Sequence, residues 1–170
     1  RRSTIPPYNA DFLTNFELGW KLSPLDGLRF NGAVYMQNWK NFQYAFLGEN
    51  SFTQIQNGPN ARIKGIEVDV AYNARNGLTL GASAAYTDAK TRSVLCAGAS
   101  DFTATCSVSS VAAPKGTRLP ITPKFKASGT ARYEFSAFAD GKAHVQATLA
   151  HQGSASSDIR VAKAITLGDL

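Results

Sequence analysis

The sequence predicts an all-β chain, a segment of an antiparallel transmembrane β-barrel contributing about six strands to a larger barrel. Three observations predict it. Six runs alternate apolar and polar residues with period two; none of the apolar rows carries a charge; and short turns follow the first, third and fifth runs while long connections follow the others. Period-two alternation marks a strand with two unlike faces. A charge facing lipid at the bilayer midplane costs roughly 2–4 kcal/mol, whereas one facing a wet lumen costs little. Short turns at one end and long loops at the other are what outer-membrane barrels show. A soluble antiparallel sandwich also alternates, but it has no reason to sort its connections by length.

The first run, Thr14 to Leu22, sets Phe16, Leu18, Trp20 and Leu22 against Asn15, Glu17, Gly19 and Lys21. Ser23-Pro24-Leu25-Asp26-Gly27 then supplies turn chemistry. The second run opposes Leu28, Phe30, Gly32, Val34 and Met36 to Arg29, Asn31, Ala33, Tyr35 and Gln37. The third carries Ile66, Val68, Val70 and Tyr72 against Gly65, Glu67, Asp69 and Ala71, and ends in the turn Asn73-Ala74-Arg75-Asn76-Gly77. The fourth sets Leu78, Leu80, Ala82, Ala84 and Tyr86 against Thr79, Gly81, Ser83, Ala85 and Thr87. In the fifth, Phe125, Ala127, Gly129, Ala131, Tyr133 and Phe135 oppose Lys124, Lys126, Ser128, Thr130, Arg132 and Glu134. A turn over 136–141 leads to the sixth, where Ala143, Val145, Ala147 and Leu149 oppose Lys142, His144, Gln146 and Thr148.

Long loops are expected at approximately 38–60, 91–123 and 153–170. With the short turns at the periplasmic end, Trp20, Tyr72, Tyr133 and Phe135 read as one aromatic girdle and Phe16, Tyr86 and Phe125 as the other, since amphipathic rings favour the headgroup level.

Composition excludes other classes. The chain has 170 residues, 44% of them hydrophobic, but no run approaches the ~18 consecutive apolar residues a membrane-spanning helix needs. Net charge is +6, yet Lys and Arg are scattered rather than clustered, so nucleic acid is not an expected partner. Nothing near Arg1 resembles a cleavable targeting signal, which is expected to lie outside this segment. Cys96 and Cys106 have no neighbouring His or second Cys pair, which argues against a metal and for a loop disulfide in an oxidising medium. His144 and His151 fall on opposite rows of one run and cannot chelate one ion from there. No nucleophile, base and orienting acid stand at a recognisable spacing, and no glycine-rich phosphate loop precedes a helix. No catalytic residue, metal or cofactor is expected.

Four segments in order resemble a known family. Phe16-Glu17-Leu18-Gly19-Trp20-Lys21, within the stretch from Pro7, looks like the aromatic-Glu-Leu-Gly-x-Lys strand of TonB-dependent outer-membrane receptors. Leu28 to Tyr35, continuing through Trp39-Lys40-Asn41-Phe42-Gln43, resembles that family's next strand. Asn57-Gly58-Pro59 through Gly65-Ile66-Glu67 is similar to its Asn-x-Gly…Gly-(Ile/Val)-Glu segment, and Gly77-Leu78-Thr79-Leu80 with Ala85-Tyr86-Thr87-Asp88-Ala89-Lys90 to the strand that follows. The resemblance implies that residues 1–170 are the distal part of a barrel of probably 22 strands, with a plug domain and final strands lying elsewhere. It implies energy-coupled uptake of a scarce nutrient such as an iron–siderophore chelate, the outer membrane as location, its lipid and a small ligand as partners, and a TonB-type complex acting through the plug. A passive porin-like barrel and a secreted carbohydrate-binding β-sandwich are the alternatives.

Recognition usually sits on loops held by a scaffold. Trp39, Phe42, Tyr44, Phe46 and Phe52, around Gly48-Glu49-Asn50, therefore stand as ligand-binding candidates able to stack on an aromatic chelate or a sugar; they serve equally as caps of the outer girdle. The lumen-facing charges are Glu17, Lys21, Arg29, Glu67, Asp69, Lys124, Lys126, Arg132 and Glu134. The cations among them would favour an anionic chelate, or the two signs simply pair with one another or with a plug.

Overall fold

The computed structural model describes residues 8–47, 51–96, 106–138 and 140–169. In chain order the strands are β1 (Phe12–Leu25), β2 (Leu28–Lys40), β3 (Gln43–Leu47), β4 (Thr53–Asn57), β5 (Ala61–Asn73), β6 (Leu78–Thr91), β7 (Leu95–Cys96), β8 (Val111–Ala113), β9 (Phe125–Ser136), β10 (Lys142–Gln152), β11 (Ala155–Ser156) and β12 (Thr166–Leu167). Two single 3₁₀ turns are the only helical elements among the described residues, and no helix is long and apolar enough to cross a membrane.

The six long strands make one antiparallel sheet in the order β1-β2-β5-β6-β9-β10, each beside its predecessor in the predicted series. The outward rows are the predicted apolar ones, and nothing among the described residues covers them: Leu18 is 71% exposed, Val145 65% and Leu149 79%. A sandwich would bury that face against a second sheet, so the β-sandwich alternative fails on this point. With β1 and β10 as its edges, the sheet is an open arc of a barrel wall.

Turn chemistry fixes the short end. Gly27 (φ 76°) and Gly77 (φ 92°) both need the left-handed conformation, and each lies against the next strand. Asn73 N–H donates to the Gly27 carbonyl at 2.9 Å and Glu134 N–H to that of Gly77 at 2.8 Å; a Cβ on either glycine would strike the carbonyl oxygen of the same partner residue. The first turn is shorter than the sequence suggests. Strand β1 continues through Ser23-Pro24, with a register irregularity between Leu22 and Leu25, a bulge on an edge strand being one of the few places a sheet tolerates proline. Trp20, expected at the short-turn girdle, sits further up the band, paired with Gly32, whose missing side chain gives the indole its space.

Strand lengths of 14, 13, 13, 14 and 12 residues exceed the ~9–11 that cross the hydrocarbon core, and the last of the six, with 11, matches it. The surplus projects at the long-loop end. There the three predicted loops carry hairpin pairs of their own, β3–β4, β7–β8 and β11–β12. The buried hydrophobic cluster, Phe42, Ala61, Ala89, Leu95, Ala113, Leu119 and Ile159, lies entirely at this end.

Candidate functional site

The inward rows line a trough of about 1090 Å³ along the concave face. Two rungs define it. Lys21, Asn31, Asp69, Ser83 and Ser128 stand side by side across five strands, and the next rung runs Gly19, Ala33, Glu67, Ala85, Lys126 and Gln152. Gly19, Ala33 and Ala85 leave the space, while hydroxyls and amides tie the wall together. Asn31 Nδ2 donates to Asp69 Oδ1 at 3.2 Å, the Ser83 and Ser128 hydroxyls are 2.8 Å apart, and Tyr35 arches over Gly65 to bring its hydroxyl 3.1 Å from that of Thr87.

Of the nine predicted lumen charges, five line the trough: Glu17, Lys21, Glu67, Asp69 and Lys126. Three carboxylates against two lysines do not make a cationic path for an anion. The other cations are elsewhere. Arg29 borders a separate cavity of about 580 Å³ by the short turns. Arg132 lies 3.5 Å from Glu134, which also takes Lys142 at 3.4 Å. Lys124 stands at the long-loop end of its row, its carbonyl accepting Thr87 N–H at 2.8 Å.

The aromatic segment divides. Trp39, Phe42 and Tyr44 pack in series, with ring centroids 5.5 and 6.1 Å apart. Phe42 is 3% exposed, seated on Gly58, and offers no face to a ligand. Trp39 Nε1 donates to Asp11 Oδ2 at 2.8 Å. Tyr44 accepts from Gln56 Nε2 at 2.6 Å, and burial pushes its phenol above the usual range. Phe52, 71% exposed, is presented outward. The side chain of Phe46 lies outside the described residues.

Three fastenings hold this end, two of them silent in the sequence reading. Asn57, 5% exposed, clasps the chain before β1 to the loop after β2: its Nδ2 donates to the carbonyls of Asn9 (2.9 Å) and Asn41 (2.7 Å), and its Oδ1 accepts Asn9 N–H at 2.6 Å. Its place ahead of Gly58-Pro59 was the only signal available. Asp158 and Arg160 form a half-buried fork, Nη2 to Oδ2 at 2.6 Å and Nε to Oδ1 at 3.1 Å, with Arg160 N–H also on Oδ1 at 2.8 Å. Burial raises the Asp158 pKa, but the hydrogen bonds from Arg160 outweigh it and hold the carboxyl below its ordinary value. Third, Cys96 is joined to Cys106, with Cα atoms 5.6 Å apart, next to the fully buried Leu95.

Among the described residues no three His, Cys, Asp or Glu side chains come together as a metal site. What the arrangement can do is recognise and conduct. It offers an exposed aromatic at the loop end, a trough below that sets charged and hydroxyl side chains among small apolar ones, and an apolar exterior. No curated protein matches the chain. A family model described as TonB dependent receptor-like, beta-barrel matches residues 6–166.

Proposed function

The chain belongs to the TonB-dependent receptor-like β-barrel family, and from that premise we propose that it serves energy-coupled uptake of a scarce nutrient such as an iron–siderophore chelate across a bacterial outer membrane. It is part of the wall of an outer-membrane receptor or transporter. The observation that carries the reading is the division of one sheet into an uncovered apolar exterior free of charge and an inner face whose trough holds Glu17, Lys21, Glu67, Asp69 and Lys126. The first fits lipid and the second a wet lumen.

On this reading the ligand arrives at the long-loop end, where Phe52 stacks on it while the Trp39–Phe42–Tyr44 series keeps the hairpin β3–β4 in place. Glu17, Glu67 and Asp69 enter no ion pair among the described residues. They are available to basic groups of a plug domain, through which a TonB-type complex would act.

Uptake of labelled ferric chelates by cells carrying or lacking the gene, with and without an energised inner membrane, tests the proposal. Gene-dependent uptake that stops when the inner membrane is de-energised is the expected result. Uptake that persists would establish the passive porin-like alternative instead, and absence of any gene-dependent chelate uptake would exclude this substrate class.

A further inference from the structure

The outward rows of β5 and β6 stay apolar up to Ile66 and Tyr86, neighbours on one rung with Val34, and that of β2 one rung further, to Met36 beside Lys64. Two rungs beyond Ile66, Asn38, Arg62 and Lys90 are direct partners, and an isolated bridge places Arg118 beside Lys90. Partners in an antiparallel ladder project from the same face. The intervening residues Ala61, Ala89 and Leu119 are buried on the inner side, which fixes the cations as outward. Arg62, Lys90 and Arg118 thus stand as three adjacent like charges, an arrangement that destabilises a sheet unless an anion lies among them.

Their protein partners orient them without neutralising them. Arg62 Nε donates to Asn38 Oδ1 at 2.8 Å and Arg118 Nη1 to the Ser154 carbonyl at 3.3 Å, both neutral. Among the described residues two carboxylates are at hand: Asp88, 2.9 Å from Lys90 Nζ, and Asp158, which borders a cavity with Arg118 but is already neutralised by its fork with Arg160. Lys64, opposite Asp88 on the rung between, adds a fourth cation, so four positive charges face one negative and three remain.

Their height is also informative. Arg62 and Lys90 lie four residues past Ile66 and Tyr86. At ~3.3 Å per residue and a strand tilt of ~40°, that is roughly 10 Å beyond the apolar band, and Lys64 roughly 5 Å. The polar headgroup layer is about 5–7.5 Å deep on each side of the hydrocarbon core, so Lys64 lies within it and Arg62 and Lys90 just past it, close enough for long side chains to reach back.

We propose that this outward row, Arg62, Lys64, Lys90 and Arg118, is a docking site for the phosphate-bearing headgroup of an anionic lipid in the leaflet on the long-loop side. Arginine forks match phosphate oxygens in pairs, and an anion among the three aligned charges turns their repulsion into attraction. The inference rests on the membrane-barrel reading above.

The test uses the full-length protein carrying this chain, extracted in neutral detergent and titrated with micelles doped with fluorescent phosphatidylglycerol or phosphatidylcholine. The expected result is a preference for phosphatidylglycerol that falls roughly tenfold or more in R62Q/K90Q/R118Q and survives in R75Q, which removes an exposed arginine from a short turn at the opposite end. Equal binding of the two lipids by the unaltered protein, or an undiminished preference in the triple variant, would overturn the proposal. Displacement of the lipid by millimolar inorganic phosphate alone would also overturn it, by showing a soluble-anion site. Heat-modifiable gel mobility checks folding; should the triple variant fail that check, the single variant K90Q, expected to lose a few-fold, decides. A protein that stays soluble without detergent would refute the membrane reading beneath, whereas one that needs detergent but ignores lipid charge refutes only this inference.

Discussion

Ile66 and Arg62 occupy the same outward row of β5, four residues apart, and face opposite solvents. Below Gly65 the apolar side chains point out and Glu67 and Asp69 point into the trough; above it Ala61 and Ile63 point in toward a core and Arg62 and Lys64 point out. Strand β6 does the same, with Tyr86 the last apolar outward residue and Asp88 and Lys90 beyond it, while inward Ala89 and Thr91 are buried. A single strand therefore obeys two rules. In the membrane half the apolar face seeks lipid; in the outer half, bathed in water, it seeks protein. The physical consequence is that the two halves are stabilised differently. The membrane half rests on its backbone ladder and its lipid surroundings, and the outer half on packing, a disulfide and buried polar clasps.

If that division is correct, the halves should fail separately. The largest effect is expected from Phe42→Ala, which removes the ring at the centre of the outer core and should cost about 3–5 kcal/mol of local stability. Hydrogen exchange of the loop backbone should accelerate while the heat-modifiable mobility of the barrel is retained; loss of both together would show that the halves are one cooperative unit. Next, Val68→Arg places a charge outward within the apolar band and should cost roughly 2–4 kcal/mol of folding in lipid vesicles. The same substitution at Ala33, which lines the trough, should cost much less, and equal costs at the two sites would dissolve the distinction between faces.

The same division explains what the sequence could and could not reveal. Period-two alternation located all six long strands, because in the membrane half the apolar face is constant. The run ending in Thr87 stopped short of Thr91, and the run beginning at Gly65 started four residues late, at the places where the apolar phase changes sides. Reading a strand by one face alone truncates it at a membrane boundary. The loop hairpins were illegible for a different reason: five residues in β3 and two in β11 are too few to establish a period. Nor could spacing distinguish Phe42, sealed over Gly58, from Phe52, exposed ten residues later, since burial here depends on contacts from β5, β6 and the last loop. The lumen charges were legible as a set but not as a site, because register, which brings Lys126 level with Glu67 and Lys21 level with Asp69 and leaves Arg29 level with neither, is a property of the sheet and not of any one strand.

A smaller test concerns the disulfide. Cys96 and Cys106 are ten residues apart, and closing a loop of that size removes about 3 kcal/mol of chain entropy from the unfolded outer half. In C96S/C106S, protease cleavage near Leu95 and Ala113 should rise under non-reducing conditions, while vesicle folding of the membrane half stays unchanged. Protection indifferent to the bond would mean that Leu95, anchored in the core, already determines the loop.

The smallest expected effect is an acid sensitivity confined to the last loop. Asp158 has its pKa held below the ordinary carboxylate value: burial opposes ionisation, but the side-chain and backbone hydrogen bonds from Arg160, and the charges of Arg160 and Lys163, favour it more strongly. A carboxyl depressed in the folded state contributes stability in full above its unfolded pKa of about 3.9, and loses it as pH falls through the lower folded value. The fork also places the Arg160 charge near the Tyr44 phenol, linking the last loop to the first. Below about pH 4 the 153–169 segment should therefore exchange its amide hydrogens faster, with the loop holding β3 and β4 loosening in step and the strands of the membrane half unaffected. Asp158→Asn should abolish this pH dependence and leave the segment moderately open at pH 7, since an amide cannot hold both Arg160 contacts with a full charge. An acid response that persists in the Asn variant would assign it to another carboxylate and remove Asp158 from the account of how the outer half is closed.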